Sequence, residues 1–366
     1  MTTRDVTATP ARVAALPDES ELDIPGADPE SEPVPVGVEG PAKRTVDRVL
    51  ASIVTCAPPL AFAFALYLHF AGIVRITWIE IALMLLFQAL AVTGVEVGYH
   101  RLFSHGSFKA SRGVKITLAV LGSLGFQGPV IWWAAVHRKH HRYSDRPHDP
   151  HSNYIMPYPD AAWNKGLFAM VRGFVHSHVG WIWTPASTRF IGWSGYVRNL
   201  YRDKDLFKIH LMYPYILASG FILPGILGGL LHGSWLGVGT GVLWGGFVRV
   251  FFMNHLSYWG INSLSHSIGP RPYLTADRST NSVAILFAVP TLGQSYHNNH
   301  HAFPYSARMQ HRWYELDLGW WLLRTLERFG QVSNLKQPTA EAMDRKRIKR
   351  PSVSGPAAEA SASTIR

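Results

Sequence analysis

Four stretches of the chain are apolar over the length a helix needs to cross a bilayer: residues 49–74, 78–99, 209–231 and 235–252. The first carries the pair Pro58-Pro59. Three-residue links, Arg75-Ile76-Thr77 and His232-Gly233-Ser234, join the stretches two by two. Links this short permit only tight turns between antiparallel helices. The pattern therefore predicts an all-α integral membrane protein with four transmembrane helices in two hairpins. Residues 114–136 form a further apolar run, broken by glycines and by Gly128-Pro129. We read it as an interfacial or protein-buried helix, because a fifth crossing would invert every later segment.

The flanks are different. Residues 1–45 are rich in Pro, Ala, Asp and Glu, lack an apolar period and read as a disordered acidic tail. A signal peptide would instead need a basic start and an apolar core. Residues 336–366, with Ala, Ser and Pro around Arg345-Lys346-Arg347, read as a disordered basic tail whose one candidate contact is anionic lipid. A single membrane domain, residues 46–335, lies between them.

Composition supports this division. Charged residues make up 16% of the chain, against about 25% in ordinary soluble domains. The mean hydropathy of +0.04 is modest only because polar segments dilute the apolar runs. Net charge is +11; residues 1–40 hold two basic and nine acidic groups and residues 331–366 seven and three, which leaves the body at +14. A basic body with apolar runs suits a membrane surface, and no nucleic-acid-binding motif is present. Basic residues cluster before the first span and in residues 101–208 and 253–330, while the two links hold one. The positive-inside rule then puts both termini and both large polar regions in the cytoplasm. With 25 Arg to 10 Lys and many Ala, the chain suits a GC-rich bacterial genome. A bacterial cell membrane is the expected location, with the endoplasmic reticulum as the alternative. The lone Cys56 excludes an intramolecular disulfide and any cysteine-built metal site.

The chemistry is carried by histidine. Of 18 in the chain, three clusters stand out: His100 with His105, His137 with His140 and His141, and His297 with His300 and His301. Positions i, i+3 and i+4 share one face of a helix, so each triplet can point three imidazoles at a shared centre. The i, i+5 pair shares a face less well and suits two adjacent metal sites or a helix that is ending. His266 is a ninth candidate, four residues after Asn262. Eight or nine imidazoles exceed the four ligands of one tetrahedral zinc and match two metals of higher coordination. Ligand type alone leaves iron, zinc, copper and nickel open, while redox chemistry beside a membrane favours iron. The remaining histidines read as hydrogen-bonding or interfacial residues, with the segment His148-Asp149-Pro150-His151 the best placed to orient a ligand imidazole. Glu80, near a span end, can reach the interface, whereas Glu96 lies one helical turn before His100.

These residues carry a resemblance. The His-x4-His and two His-x2-His-His boxes around paired spans are similar to those of the membrane fatty-acyl desaturases. Residues 98–105 (Gly-Tyr-His-Arg-Leu-Phe-Ser-His), 177–181 (Ser-His-Val-Gly-Trp), Arg271-Pro272-Tyr273, 301–304 (His-Ala-Phe-Pro) and 313–317 (Trp-Tyr-Glu-Leu-Asp) extend it over residues 50–330 and resemble the Δ9 acyl-CoA branch. The resemblance implies a cytosolic helical cap above four spans, holding two non-haem iron ions. Their ligands would be His100, His105, His137, His140, His141, His266, His297, His300 and His301, with Asn262 at the position that holds a metal-bound water. It implies O2-dependent removal of two hydrogens from a long-chain saturated acyl substrate, most readily acyl-CoA, to leave a cis double bond. Such C–H bonds need a metal oxidant that no side chain supplies. Gln127, Trp133 and Tyr258 fall at positions that shape the kink of the substrate tunnel; the acyl-CoA branch usually has Thr at the third.

The chain also departs from that branch. Basic residues that hold CoA phosphates are replaced by residues 133–136 (Trp-Ala-Ala-Val) and 183–186 (Trp-Thr-Pro-Ala), leaving Arg138, Lys139 and Arg189 to compensate. Gln294 stands where many relatives have Glu. No cytochrome b5 domain is fused to the chain, so the expected electron donor is a separate ferredoxin, cytochrome b5 or flavoprotein reductase, drawn to the cap's positive charge. The rival enzymatic readings are an acyl-lipid or acyl-carrier-protein desaturase and a membrane fatty-acid hydroxylase. The non-enzymatic ones are a bis-His haem electron carrier and a metal transporter. Both of these need ligands within the membrane, whereas here the clusters sit at helix ends on one side.

Overall fold

The computed structural model describes residues 41–154, 166–189, 192–282 and 285–348. The acidic tail expected over residues 1–40 and residues 349–366 of the basic tail lie outside them. Among the described residues, four helices are long and apolar enough to cross a membrane. They belong to α1 (Pro41–Phe70), α2 (Trp78–Ser104), and two later helices, Tyr213–His232 and Trp235–Leu264. Between α2 and the third span come α3 (Arg112–Ser123), α4 (Val130–Tyr143) and α5 (Leu167–His178). With α6 (Tyr213–His232) and α7 (Trp235–Leu264) the second hairpin follows. The cap is completed by α8 (His297–Ala302), α9 (Leu318–Arg328) and α10 (Ala340–Lys346).

The hairpins form, with residues 71–77 rather than 75–77 linking α1 to α2 and Gly233-Ser234 linking α6 to α7. Thr77 caps α2: its hydroxyl accepts from the amide of Ile79, while its own amide donates to Glu80 Oε2 at 2.8 Å. Glu80 does not reach for the interface. It is buried, accepts from Thr240 Oγ1 at 2.8 Å and lies 2.7 Å from His232 Nε2. One carboxylate thus ties the start of α2 to both helices of the other hairpin, because an intramembrane charge persists only when paired. Within that hairpin the helices approach until a Cβ on Gly228 would sit 2.3 Å from the carbonyl oxygen of Gly237. Only glycine permits this contact. The lipid-facing residues remain exposed, among them Leu60, Phe70, Trp78 and Leu230.

Three expectations are corrected. The run 114–136 is two helices, α3 and α4, separated at residues 124–129. α3 packs on α2 so closely that a Cβ on Gly94 would meet the Gly122 amide nitrogen at 1.9 Å, which is why glycines interrupt that run. The second and fourth spans also continue past their expected ends into the cap. Their extensions contain π-helical turns, Gly94–Ser104 in α2 and Val242–Val248 and Met253–Tyr258 in α7. Finally, residues 336–348 are ordered. Thr339 caps α10, and the chain beyond pairs with residues 272–274 through Leu274 N to Lys346 O (2.7 Å) and Ile348 N to Pro272 O (2.9 Å). Local composition carried no sign of a partner so distant in sequence.

A buried ion pair fixes the cap to the spans. Arg101, at the end of α2, donates to Asp317 Oδ1 at 2.8 Å and to the carbonyls of Ala307 and Leu292; neither charged side chain is exposed. A short antiparallel pair, Lys109–Ala110 with Val332–Ser333, adds a second tie.

Candidate metal centre

All nine predicted histidines converge, eight of them buried and His141 half-buried. They form two groups, His100, His105, His137, His141 and His300, and His140, His266, His297 and His301, each with its ligand atoms within 4.8 Å of one another. Each triplet is split rather than aimed at one centre. In α4 the i, i+4 pair His137 and His141 enters the first group and His140 the second; in α8 His297 and His301 enter the second and His300 the first. The i, i+5 pair needed a different backbone. α2 widens to π turns over Gly94–Ser104, and the amide of His105 donates to the carbonyl of His100 at 3.2 Å. A ladder from i+5 back to i stacks those positions, so both imidazoles reach the same group.

The nitrogens fit metal ions. In the first group Nε2 atoms lie 3.0 Å apart for His100 and His300, 2.9 Å for His105 and His137, 3.1 Å for His137 and His141, and 2.8 Å for His141 and His300. In the second, His266 and His301 approach His297 at 3.1 and 3.0 Å, Nε2 to Nε2. Two donors at right angles around one ion, each about 2.1 Å from it, stand roughly 3 Å apart. Hydrogen bonding alone does not explain such a set. His301 Nδ1 lies 2.5 Å from Asp277 Oδ2 and His266 Nδ1 lies 3.0 Å from Asp145 Oδ2, so both rings place their protons there and turn lone pairs inward. His140 Nδ1, 2.9 Å from Asp149 Oδ1, does the same, and its inward Nε2 makes no hydrogen bond.

The second group thus rests on three aspartates. Among the described residues the first has one carboxylate beside it, Glu96, whose Oε2 lies 3.5 Å from His100 Nδ1 without a hydrogen bond. Burial and the crowding of neighbouring imidazoles hold His137, His140, His141, His297 and His300 well below the usual histidine pKa, in the neutral form that ligates metal. At His266 burial acts in the same direction, but Asp145 and Asp277 outweigh it and raise the group to about 9.

Asp145 and Asp277 carry no signal in the sequence. Asp277 is 24 residues from its histidine, and nothing local marks it. Within the segment 148–151, expected to orient a ligand, Asp149 makes that contact, while His151 stacks on His140 at 4.2 Å between ring centroids. Gln294 Nε2 lies 3.4 Å from both His100 Nε2 and His297 Nδ1, between the groups.

Gln127, Trp133, Tyr258 and Asn262 line one cavity together with Trp132, Val136, His137, His151 and Trp181. Gln127 is held by a hydrogen bond to Asn254 Oδ1 (2.6 Å), and Trp133 stacks on the ring of His137 at 5.0 Å. An aromatic-walled space therefore opens against the imidazoles. The compensating cations are committed elsewhere. Arg138 is buried and donates to the carbonyls of Phe103, Ser104 and Tyr196 and to Asn199, Arg189 pairs with Asp47, and Lys139 is buried.

A helical membrane scaffold with an enclosed two-group histidine site defines the class, and similarity to known proteins gives the family. The model of the fatty acid desaturase family matches residues 43–333. The chain belongs to the fatty acid desaturase family. It is 42% identical over 273 residues to the hex-5-enoyl-[acyl-carrier protein] acetylenase of Moorena producens, covering 75% of this chain and 82% of that one. It is 33% identical over 254 residues to the sn-1 stearoyl-lipid 9-desaturase of Anabaena variabilis (69% and 82%). It is 34% identical over 266 residues to the icosanoyl-CoA 5-desaturase of Limnanthes douglasii (73% and 67%).

Proposed function

We propose that this protein is an O2-dependent acyl desaturase that introduces a cis double bond, at Δ9, into a long-chain saturated acyl group. The balance is R–CH2–CH2–R′ + O2 + 2e− + 2H+ → R–CH=CH–R′ + 2H2O, with the electrons from a separate ferredoxin, cytochrome b5 or flavoprotein reductase. The observation that carries the reading is the two groups of inward-facing Nε2 atoms, neighbours within each standing 2.8–3.1 Å apart, against an aromatic-walled cavity. The nine histidines would hold two iron ions, His100, His105, His137, His141 and His300 the one, and His140, His266, His297 and His301 the other. Bound there, the irons would activate O2 to the oxidising power that an unactivated methylene requires. Asp145, Asp149 and Asp277 fix the tautomers of three ligands, and Asn262 would hold a water at the site. Trp133, Tyr258 and Gln127 would grip the acyl chain and exclude bulk water from the reacting carbons. Both termini and the cap would face the cytoplasm of a bacterial cell.

For the head group, acyl-carrier-protein thioester is our reading in place of the acyl-CoA first expected. Arg138 and Arg189, the cations offered for CoA phosphates, already have partners, and the Moorena relative is named for acyl-carrier protein. Supplying the iron-loaded enzyme and a ferredoxin system with stearoyl-CoA, stearoyl-acyl-carrier protein and stearoyl lipid in parallel tests this. Turnover fastest on the carrier protein supports it; preference for CoA returns the substrate to the acyl-CoA branch.

A further inference from the structure

We propose that α5 is an interfacial helix, seated with its apolar face in the lipid leaflet on the cap side of the spans, where it anchors one wall of the cavity at the membrane surface. The proposal rests on reading the four long apolar helices as membrane-spanning and is independent of the reaction.

α5 is not a span: it has twelve residues. It nevertheless leaves Leu167 77%, Phe168 80%, Met170 69%, Val171 53% and Val175 50% exposed. At 3.6 residues per turn these five side chains fall on a single face. Gly173 and His176, on the opposite side, are buried, as is Ser177 at the edge of the stripe. A soluble surface rarely carries so concentrated an apolar stripe, and when one occurs it marks a partner or a membrane.

Two observations select lipid. The first is direction. His178 and Phe174 project from the same face as the apolar stripe and stack on each other at 5.9 Å. His178 Nε2 lies 2.9 Å from His255 Nδ1, and its Nδ1 lies 2.9 Å from Ser263 Oγ. Both partners lie on the cap-side continuation of α7, so the C-terminal end of this face packs just beyond the point where the fourth span enters the cap. The second is continuity. α7 exposes Leu256 and Leu264 along the same stretch. The turn after α5, Gly180–Trp183, packs against α1, whose Val46, Val49, Leu50 and Ile53 are exposed, and Trp183 is itself exposed. The stripe thus joins the exposed apolar faces of two spans, and a tryptophan sits where aromatic residues favour the membrane–water boundary. Trp181, in that same turn, lines the cavity.

The test uses the full-length chain with Cys56→Ser, reconstituted in lipid nanodiscs. Phe168→Cys, Val171→Cys and Val175→Cys are made singly and carry a nitroxide, with Arg172→Cys, an exposed residue outside the apolar stripe, as the reference. Paramagnetic resonance then compares collision of each label with O2 and with a water-soluble nickel chelate. The expected result is that all three labels collide severalfold more with O2 and severalfold less with the chelate than the label at 172. Chelate access equal to the reference would overturn the proposal, since the face would then be in water. Immobilised labels with dipolar coupling between copies would overturn it too, because a second chain would then cover the face.

Discussion

At the level of single residues, the aspartates behind the second histidine group have the most to reveal. Replacing a partner that orients a ligand imidazole typically costs 10–100-fold in metal affinity. Asp277→Asn keeps the shape but weakens its hold on His301, so iron retained after dialysis against a graded chelator should fall by about that factor. Wild-type retention would show that the contact does not tune the site. His140→Ala and His300→Ala each remove a nitrogen from a different group, and each should abolish desaturation while the protein stays in the membrane fraction. Activity in an iron-replete preparation would take that residue out of the ligand set. Tyr258→Thr reopens space beside Trp133 in the cavity and should shift chain-length preference or double-bond position. An unchanged product profile would mean that Tyr258 does not shape the bend. All nine histidines were readable in the sequence because repeated, closely spaced imidazoles seldom gather except around metal ions. Asp145 and Asp277 were not, because single acidic residues far from their partners look like any others.

At the level of elements, the hairpins were legible and the local backbone was not. Apolar length and three-residue links suffice to predict two antiparallel pairs. Neither reveals the π turns of α2, which depend on packing against α3 and α4 and bring His100 and His105 to one group. An α-helical template likewise aims each triplet at one centre, whereas two groups lying side by side divide it. The order of residues 336–348 was illegible for a similar reason: it comes from pairing with residues 272–274. The close approach of α2 and α3 can be tested directly. Gly94→Ala places a methyl 1.9 Å from the Gly122 nitrogen and must push the helices apart. Overpacking of this kind costs about 1–3 kcal/mol or more. A lowered melting temperature with loss of iron is expected, and wild-type values would contradict the packing described.

At the level of the whole molecule, the cap must be held rigidly over the spans for one site to draw ligands from both. The buried pair Arg101–Asp317 does this. Removing one partner of such a pair costs about 3–5 kcal/mol, because the other charge is left buried and unpaired. Asp317→Asn should therefore destabilise the whole protein, and an unchanged melting curve would refute that role. Acid sensitivity has an identifiable contributor in the cap. Burial, aided by Arg308, lowers His311 to about 4, below the roughly 6.5 of an unfolded chain. The unfolded state then takes up its proton first as pH falls, so the contribution of His311 to stability is intact above about 6.5 and is lost progressively toward 4. His311→Gln should narrow the gap in melting temperature between about pH 7.5 and about pH 5, which bracket the titration of the unfolded chain; an identical gap would acquit the residue.

Desaturation at these two histidine groups leaves a product that can be read directly. The most direct measurement is gas chromatography–mass spectrometry of the fatty acids made by a desaturase-deficient host that expresses this protein together with a ferredoxin and its reductase. The predicted result is a new cis-monounsaturated acid, at Δ9, that disappears with His300→Ala. A hydroxylated acid, or an unchanged profile from protein that purifies with two irons per chain, would contradict it.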